Sequence, residues 1–300
     1  MNKSCIIIAG PTAVGKTAIS LQLAKGFSTQ IISADSRQCF RELNIGVAKP
    51  DWLELESIFH YFINSHAIMD SVTAADFEKY ALISVQEIFK DNDTAIMVGG
   101  TGLYIKAFSE GLDLIPQTPQ ETRTEIISKY NVLGIDWLSN ELKAKDPDYF
   151  NKGEMGNPQR MMRALEVIMS TGKSILSFQT HKKGSRNFNV IKIGLELPRE
   201  DLYNSINNRV DAMITAGLVN EVERLIPFRK LNALQTVGYS ELFDYFDQKT
   251  SLAEAVSLIK QHTRNYAKRQ MTWFKKDKEM NWFPPDINII KDFLNNESAK

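Results

Sequence analysis

The sequence predicts an α/β protein built on a parallel β-sheet, with a helical domain inserted into it. Apolar runs that predict buried strands occur at residues 5–9, 30–34, 94–98 and 190–197. Segments with the 3.6-residue apolar period of amphipathic helices separate them, as at residues 73–89. Strands that alternate with helices along a chain favour a parallel sheet covered by helices.

The first apolar run leads into residues 10–17, which match the phosphate-loop pattern G-x-x-x-x-G-K-[ST] at every fixed position. A strand before this loop and a helix after it supply the context that the motif needs. Lys16 is expected to reach an outer phosphate, and the Thr17 hydroxyl to hold Mg²⁺. The predicted phosphate-binding residues are Gly10, Thr12, Ala13, Gly15, Lys16 and Thr17. The motif predicts a core like that of phosphate-loop NTPases, and a bound di- or triphosphate whose identity it leaves open.

Polar residues follow two of the predicted strands, where α/β sheets place their ligands. Residues 35–38 (Asp-Ser-Arg-Gln) come after the second strand, and the Asp35 carboxylate could be a base, a metal ligand or a helix cap. Residues 99–102 (Gly-Gly-Thr-Gly) come after the third, where phosphate-loop NTPases usually carry a magnesium-binding Asp. The glycines predict either a ligand close to the backbone or a structural turn, and the missing acid weakens an ATP-hydrolysing assignment.

Residues 113–189 form the predicted helical insertion, and residues 1–112 and 190–300 the α/β core. Within the insertion, Pro and Gly punctuate short helical stretches. Arg123 lies in the first turn of one helix, where a cation opposes the helix dipole, so it is either solvated or aimed at an anion. Arg160 and Arg163 share one face of a helix that opens at Asn157 and Pro158.

Two long helices have predicted inward faces. For the helix at 73–89, with Thr73 as its cap, the inward residues are Phe77, Ala81, Val85, Ile88 and Phe89. For the last long helix, at about 252–276, they are Leu252, Val256, Ile259, Thr263, Tyr266 and Trp273. Arg264, Lys268 and Lys275 fall on the opposite face of the last helix, which is either ordinary solvated surface or a contact for a phosphate backbone.

Composition excludes several classes of protein. Lys plus Arg and Asp plus Glu each number 36, so the net charge of zero excludes a uniformly basic nucleic-acid binder, though not a local basic patch. The two cysteines provide neither a disulfide framework nor metal-ligand spacing. Neither a signal peptide nor an apolar run long enough to span a bilayer is recognisable. We expect a cytoplasmic protein without a membrane partner.

Seven motifs, in the same order, make the sequence resemble the tRNA dimethylallyltransferase (tRNA isopentenyltransferase) family. They are residues 10–17, 32–38 (Ile-Ser-Ala-Asp-Ser-Arg-Gln), 44–50 (Asn-Ile-Gly-Val-Ala-Lys-Pro), 98–104 (Val-Gly-Gly-Thr-Gly-Leu-Tyr), 157–160 (Asn-Pro-Gln-Arg), 237–239 (Val-Gly-Tyr) and 267–273 (Ala-Lys-Arg-Gln-Met-Thr-Trp). The motifs span almost the whole chain.

The resemblance implies transfer of a dimethylallyl group from dimethylallyl diphosphate to N6 of the adenine 3′ of the anticodon in tRNA. Diphosphate would leave from the phosphate loop with Mg²⁺ as cofactor, so no strand-end acid for ATP hydrolysis is needed. By the same resemblance Asp35 is the base, Thr101 and Arg123 act at the reacting centre, and Arg209 contacts the diphosphate.

We expect a monomer, and the resemblance implies that its partner is the anticodon stem-loop of tRNA. The predicted tRNA contacts are Asp35, Ser36, Arg37, Gln38, Gln159, Arg160, Met161, Met162 and Arg163, with Arg264, Lys268 and Lys275 added from the helix face.

Two other classes of function stay open. A kinase of a nucleoside or small metabolite shares the phosphate loop and predicts ATP consumption. A nucleotide-dependent tRNA-binding module would use Asp35 only as a cap. A related enzyme that prenylates free AMP shares the core motifs, and the insertion and the basic last helix favour tRNA over AMP.

Overall fold

The computed structural model describes residues 3–180 and 183–298, and its centre is one six-stranded parallel sheet. The strands are β1 (Ser4–Ala9), β2 (Ile31–Ser33), β3 (His60–Tyr61), β4 (Thr94–Gly99), β5 (Asn189–Leu195) and β6 (Asn281–Phe283). Their spatial order is β3-β2-β4-β1-β5-β6. The predicted α/β fold class, with a phosphate loop after the first strand, is confirmed.

The central strand β1 is covered on both faces, as parallel strands usually are. Cys5 and Ile7 belong to one hydrophobic cluster, and Ile6 and Ile8 belong to another. Because successive side chains of a strand point to opposite faces, this alternation places one core on each side of the sheet. The carboxyl end of β1, where Gly10 follows, is thereby fixed in the middle of the sheet.

The helices of the chain lie in two compact units. The core unit comprises the chain up to Glu110 and from Ser185 onward, and the insertion unit is Gly111–Gly184. In the core unit the helices are α1 (Lys16–Gly26), α2 (Trp52–Ser57), α3 (Ala74–Asp91), α4 (Gly102–Glu110), α8 (Arg199–Thr215), α9 (Leu218–Arg224), α10 (Tyr239–Phe246), α11 (Leu252–Phe274) and α12 (Ile287–Ser298). The residues just after the insertion are tied to the core unit, because Arg186 donates to Glu78 at 2.7 Å and to the carbonyl of Phe108 at 2.7 Å.

The insertion unit is helical and has a hydrophobic core of its own. Its helices are α5 (Gln120–Lys145), α6 (Pro147–Lys152) and α7 (Pro158–Thr171). Gly134 interrupts α5 with a φ of 74°, which divides it into two helical segments. Ile126 and Leu142 of α5 pack with Leu165 of α7, so the unit buries apolar side chains within itself.

The two helix predictions had different outcomes. Thr73 caps α3 in a reciprocal capping box with Asp76, and every residue predicted to face inward on α3 is buried. On α11 the predicted inward face is partly wrong, because Leu252 and Tyr266 are exposed. The buried residues of α11 are Ala255, Ile259, Ala267, Gln270 and Phe274.

Within the described ranges, the helices are each too short or too polar to cross a bilayer. Cys5 and Cys39 are both buried as free thiols.

Candidate active site

A cavity of about 930 Å³ lies in the core unit, at the edge of the sheet where the strands end. Its walls come from the loops after β1 and β2, from residues 46–50, and from α8, α10 and α11. The predicted site residues that line it are Thr12, Ala13, Gly15, Lys16, Thr17, Asp35, Ser36, Arg37, Gln38 and Arg209. Residues widely separated in sequence therefore share the position at which open α/β sheets bind ligands.

The phosphate loop needs its glycines at both ends. Gly10 has a φ of 146°, and a Cβ at this position would lie 2.7 Å from the carbonyl oxygen of Leu195. Gly15 has a φ of 99° and immediately precedes α1. Only glycine adopts these angles without strain. The loop therefore delivers the amino terminus of α1 to the cavity wall, with its positive dipole end toward an anion.

Two half-buried cations meet at this loop. The Lys16 ammonium donates to the carbonyl oxygens of Gly10 at 3.0 Å and Pro11 at 2.7 Å. Burial, with the nearby charge of Arg209, lowers the pKa of Lys16 to about 7, although the Asp35 carboxylate opposes the shift. Burial also lowers the pKa of Arg209, whose Nη1 donates to the Thr12 hydroxyl at 3.2 Å. Two positive groups beside one phosphate loop make a site for a multiply charged anion.

Asp35 follows β2 and faces these cations. Its Oδ1 accepts the backbone N–H groups of Arg37 at 2.9 Å and Gln38 at 3.3 Å. These bonds close a turn, and the described residues directly after it form no helix. Asp35 is therefore not a helix cap, and its carboxylate stabilises the turn instead. Oδ2 takes no hydrogen bond from the part of the chain that the structure describes. Asp35 can therefore hold its turn with one oxygen and present the other to the cavity.

Thr101 joins the turn after β4 to the Asp35 segment. Its hydroxyl oxygen accepts the backbone N–H of Ser36 at 3.1 Å, and its own N–H donates to the carbonyl of Ala34 at 3.2 Å. A Cβ at Gly99 would lie 2.1 Å from that same Ala34 oxygen, and one at Gly102 would lie 2.1 Å from the Trp273 ring. Close packing of protein against the backbone favours a structural turn, and because Gly99 and Gly100 also line the cavity, the interpretation as a ligand contact stays open.

Gln270 on α11 is a site residue that the sequence reasoning missed. Its Oε1 accepts the Thr12 N–H at 2.8 Å, and its Nε2 donates to the Gly100 carbonyl at 2.9 Å. A Cβ at Gly100 would lie 2.2 Å from Nε2. This buried amide thus bridges the phosphate loop and the glycine turn. Gln270 lies within the family motif at residues 267–273, and this position could have identified it as a site residue.

The cavity face of α11 also differs from the prediction. Tyr266 and Arg269 line the cavity, as does His262, whose Nδ1 lies 2.5 Å from Glu241 Oε1. Glu241 is buried and accepts the Gly238 N–H at 2.8 Å through its other oxygen. Tyr266 belongs to the predicted inward stripe of α11, whereas His262 and Arg269 line the cavity beside that stripe and were not predicted to do so.

The three cations assigned to the far side of α11 do lie away from the cavity. Arg264 donates to Asn207 at 2.7 Å, and Lys275 donates to Glu196 at 2.6 Å. Lys268 is exposed. Two of the three thus have partners within the protein, which the sequence did not indicate.

The remaining predicted residues belong to the insertion unit. Met161 and Met162 are 0% and 4% exposed in its core, which removes their side chains from the predicted tRNA-facing set. Gln159 and Arg160 are exposed, and Arg160 pairs with Glu154. Nε of the half-exposed Arg123 lies 3.8 Å from the Glu166 carboxylate.

Arg163 also pairs with Glu166, at 3.1 Å, and donates to the Thr118 hydroxyl at 2.9 Å. These bonds hold the guanidinium against the insertion unit and leave the side chain about one-third exposed (35%).

Candidate metal ligands occur at two places. Thr17 and Asp35 both line the cavity, the first beside Lys16, and they bring a hydroxyl and a carboxylate to its walls. Oxygen donors of these kinds, completed by phosphate oxygens, suit Mg²⁺. Glu110, Asp277 and Glu279 form a separate acidic cluster.

The ammonium of Lys192 lies within that cluster, 3.2 Å from Glu110, 2.8 Å from Asp277 and 3.0 Å from Glu279. Although burial alone would lower it, the pKa of Lys192 is raised by these hydrogen bonds. The ammonium thus already provides the positive charge that a metal ion would bring.

Comparison with known proteins agrees with this geometry. The family model described as IPP transferase matches residues 38–277. The chain is 49% identical over 288 residues to the tRNA dimethylallyltransferase of Christiangramia forsetii, covering 96% of this chain and 95% of that protein. It is 46% identical over 287 residues to the enzyme of the same name from Flavobacterium johnsoniae, covering 94% and 93%.

Solved structures give the same result. The full-length tRNA isopentenylpyrophosphate transferase of Bacillus halodurans is 34% identical, with a TM-score of 0.72 over 99% of this chain and 96% of that one. A eukaryotic dimethylallyltransferase acting on tRNA is 27% identical, with a TM-score of 0.75 over 90% of this chain and 69% of that one. The chain belongs to the tRNA dimethylallyltransferase family of IPP transferases.

Proposed function

We propose that this enzyme transfers the dimethylallyl group of dimethylallyl diphosphate to N6 of the adenine 3′ of the anticodon in tRNA. The observation that carries the proposal is the cavity itself. It sets the phosphate loop, Lys16 and Arg209 against the free Oδ2 of Asp35. Alkylation of an amine nitrogen requires a group that stabilises the leaving anion and a base that accepts the proton. The cavity provides candidates for both on facing walls.

In the proposed reaction a C–N bond forms between N6 and C1 of the donor while the C1–O bond to diphosphate breaks. The N6 proton passes to the Asp35 carboxylate, since the amine is a weak nucleophile until that proton leaves. Negative charge develops on the departing diphosphate, where Lys16, Arg209 and the loop N–H groups stabilise it. Mg²⁺ held at the Thr17 hydroxyl would supply further charge neutralisation for the leaving group.

We further propose that the tRNA spans several surfaces. Residues 35–38 would contact the target nucleotide at the cavity, with Thr101 holding this segment through Ser36. The exposed side chains of Gln159 and Arg160, with Arg123 and Arg163, would make contacts from the insertion unit. Arg264, Lys268 and Lys275 would add phosphate contacts on α11.

The target adenine must leave its stack to reach a cavity of this kind. Buried free thiols suit a reducing compartment, and we propose a cytoplasmic monomer.

One experiment tests the donor and the acceptor together. The enzyme is incubated with labelled dimethylallyl diphosphate and Mg²⁺, without ATP, and with either bulk tRNA or AMP. Label should enter tRNA and be recovered on an N6-modified adenosine after digestion, and the Lys16→Ala variant should abolish the transfer. Strict dependence on ATP would support the kinase, and label in AMP alone would support the AMP-prenylating relative.

A further inference from the structure

A buried glutamate outside the cavity holds one of the cavity walls. Glu221 of α9 is 4% exposed, and its carboxylate accepts four hydrogen bonds. Oε2 accepts the backbone N–H groups of Asn44 at 3.2 Å and Ile45 at 2.8 Å. Oε1 accepts the Gly46 N–H at 3.1 Å and the Tyr239 hydroxyl at 2.6 Å.

The number of donors explains why a charge is tolerated there. A buried carboxylate is costly unless hydrogen bonds replace its lost hydration. The four bonds to Glu221 occupy both oxygens, and bonds to an ionised acceptor are stronger than neutral ones. The backbone at residues 44–46 is therefore fixed by α9 more firmly than a surface loop usually is.

The same contact forces the chain into a narrow path. A Cβ at Gly46 would lie 2.6 Å from the Tyr239 ring, so the loop passes directly over that ring. Two residues later Ala48 has a φ of 47°, which is the left-handed region that a non-glycine residue rarely adopts. A strained conformation of this type persists only where the surroundings impose it.

The loop passes this constraint on to the site. Gln38 Nε2 donates to the carbonyl oxygens of Val47 at 3.3 Å and Ala48 at 3.0 Å. The backbone N–H of Gln38 in turn donates to Oδ1 of Asp35 at 3.3 Å. Hydrogen bonds at both ends of the loop backbone at 44–48 therefore connect Glu221, which does not line the cavity, to the proposed base, which does.

We propose that Glu221 is a positioning residue for the tRNA acceptor. It fixes residues 44–48, whose carbonyl groups orient Gln38 beside Asp35. This inference rests on the proposed function, because it assigns acceptor recognition to Gln38 and Asp35. The phosphate loop and Arg209 have no part in the set, so binding of diphosphate should not depend on Glu221.

The test compares Glu221→Gln with Glu223→Gln, an exposed glutamate on the same helix. Glutamine keeps the shape of Glu221, but its NH₂ group cannot accept the loop N–H groups. We expect Glu221→Gln to lower single-turnover transfer to tRNA by about 10- to 100-fold, as loss of supporting contacts around a site commonly does. The affinity for inorganic diphosphate with Mg²⁺ should stay unchanged, and Glu223→Gln should behave as wild type.

A double-mutant cycle with Gln38→Ala separates positioning from a general loss of structure. If Glu221 acts through Gln38, the two losses are not additive, and the double variant is little slower than Gln38→Ala alone. Additive losses, or an equal loss of diphosphate binding, would overturn the inference. Tyr239→Phe, which removes one of the four donors, should show a smaller loss with the same coupling, and it decides the matter if Glu221→Gln does not fold.

The wild-type assay separates the proposed function from the role of Glu221. If wild-type enzyme transfers no label to tRNA, the proposed function fails and this inference fails with it. If wild type is active and Glu221→Gln matches Glu223→Gln, only the inference is overturned.

Discussion

Binding of diphosphate should draw a proton from solution onto Lys16. The pKa of Lys16 is lowered to about 7 by burial and by Arg209, so at pH 8 only about a tenth of the free enzyme carries this charge. A diphosphate beside the ammonium favours the charged form and raises its pKa. Binding at pH 8 should therefore take up about 0.9 proton at Lys16, and above pH 7 affinity should fall by up to about tenfold per pH unit.

Calorimetry can measure this proton. Inorganic diphosphate is titrated into enzyme at fixed Mg²⁺ and pH 8, in two buffers of different ionisation enthalpy, which gives the protons taken up per site. Lys16→Arg is the control, because its guanidinium keeps the charge and does not titrate near pH 8. Subtracting the control removes protons that belong to the ligand. Equal uptake by wild type and Lys16→Arg would show that Lys16 is already charged in the free site, and would refute the reasoning.

Three other variants test separate parts of the site. Asp35→Asn can still accept both turn N–H groups, so the melting temperature and tRNA binding should be unchanged. Single-turnover transfer should fall at least about 10²-fold. Near-normal transfer would mean that the base lies elsewhere. Gln270→Leu leaves the buried Gly100 carbonyl and the half-buried Thr12 N–H without this partner, and should cost about 1–3 kcal/mol in denaturant unfolding. An unchanged unfolding midpoint would argue against the bridge. The triple alanine variant of Arg264, Lys268 and Lys275 should reduce the salt slope of tRNA binding, by about one for each phosphate that is no longer neutralised; an unchanged slope would make that face ordinary surface.

Features set by local sequence were predictable. The phosphate loop is contiguous, and its flanking strand and helix are recognisable beside it. The same holds for α3, because its cap and its periodic apolar residues lie within the 17 residues from Thr73 to Phe89. In both cases the residues that make up the recognisable pattern are near neighbours in the chain.

Features set by distant contacts were not predictable. The glycines at 99 to 102 left two interpretations open, because the groups that crowd them come from Ala34, Gln270 and Trp273. Part of the predicted inward face of α11 was wrong for a related reason, although its orientation was right. Tyr266 is an aromatic residue that faces a cavity, and hydrophobic periodicity does not distinguish a cavity wall from a core. Glu221 gave no signal at all, since its four partners are 175 or more residues away or on another helix.

The helix α11 joins the fold to the site, and this decides how its variants must be interpreted. Gln270 and Trp273 fill the space above the glycine turn, and Gln270 also lines the cavity, as Tyr266 and Arg269 do from the same helix. A change at Gln270 leaves the Gly100 carbonyl and the Thr12 N–H without this partner, and a change at Trp273 removes packing against Gly102, so stability and transfer should fall together. A change at Tyr266 or Arg269 leaves those contacts in place, so a loss of transfer at constant stability identifies a group that meets the substrate. Measuring unfolding together with transfer thus distinguishes residues that maintain the structure of the cavity from residues that contact the substrate.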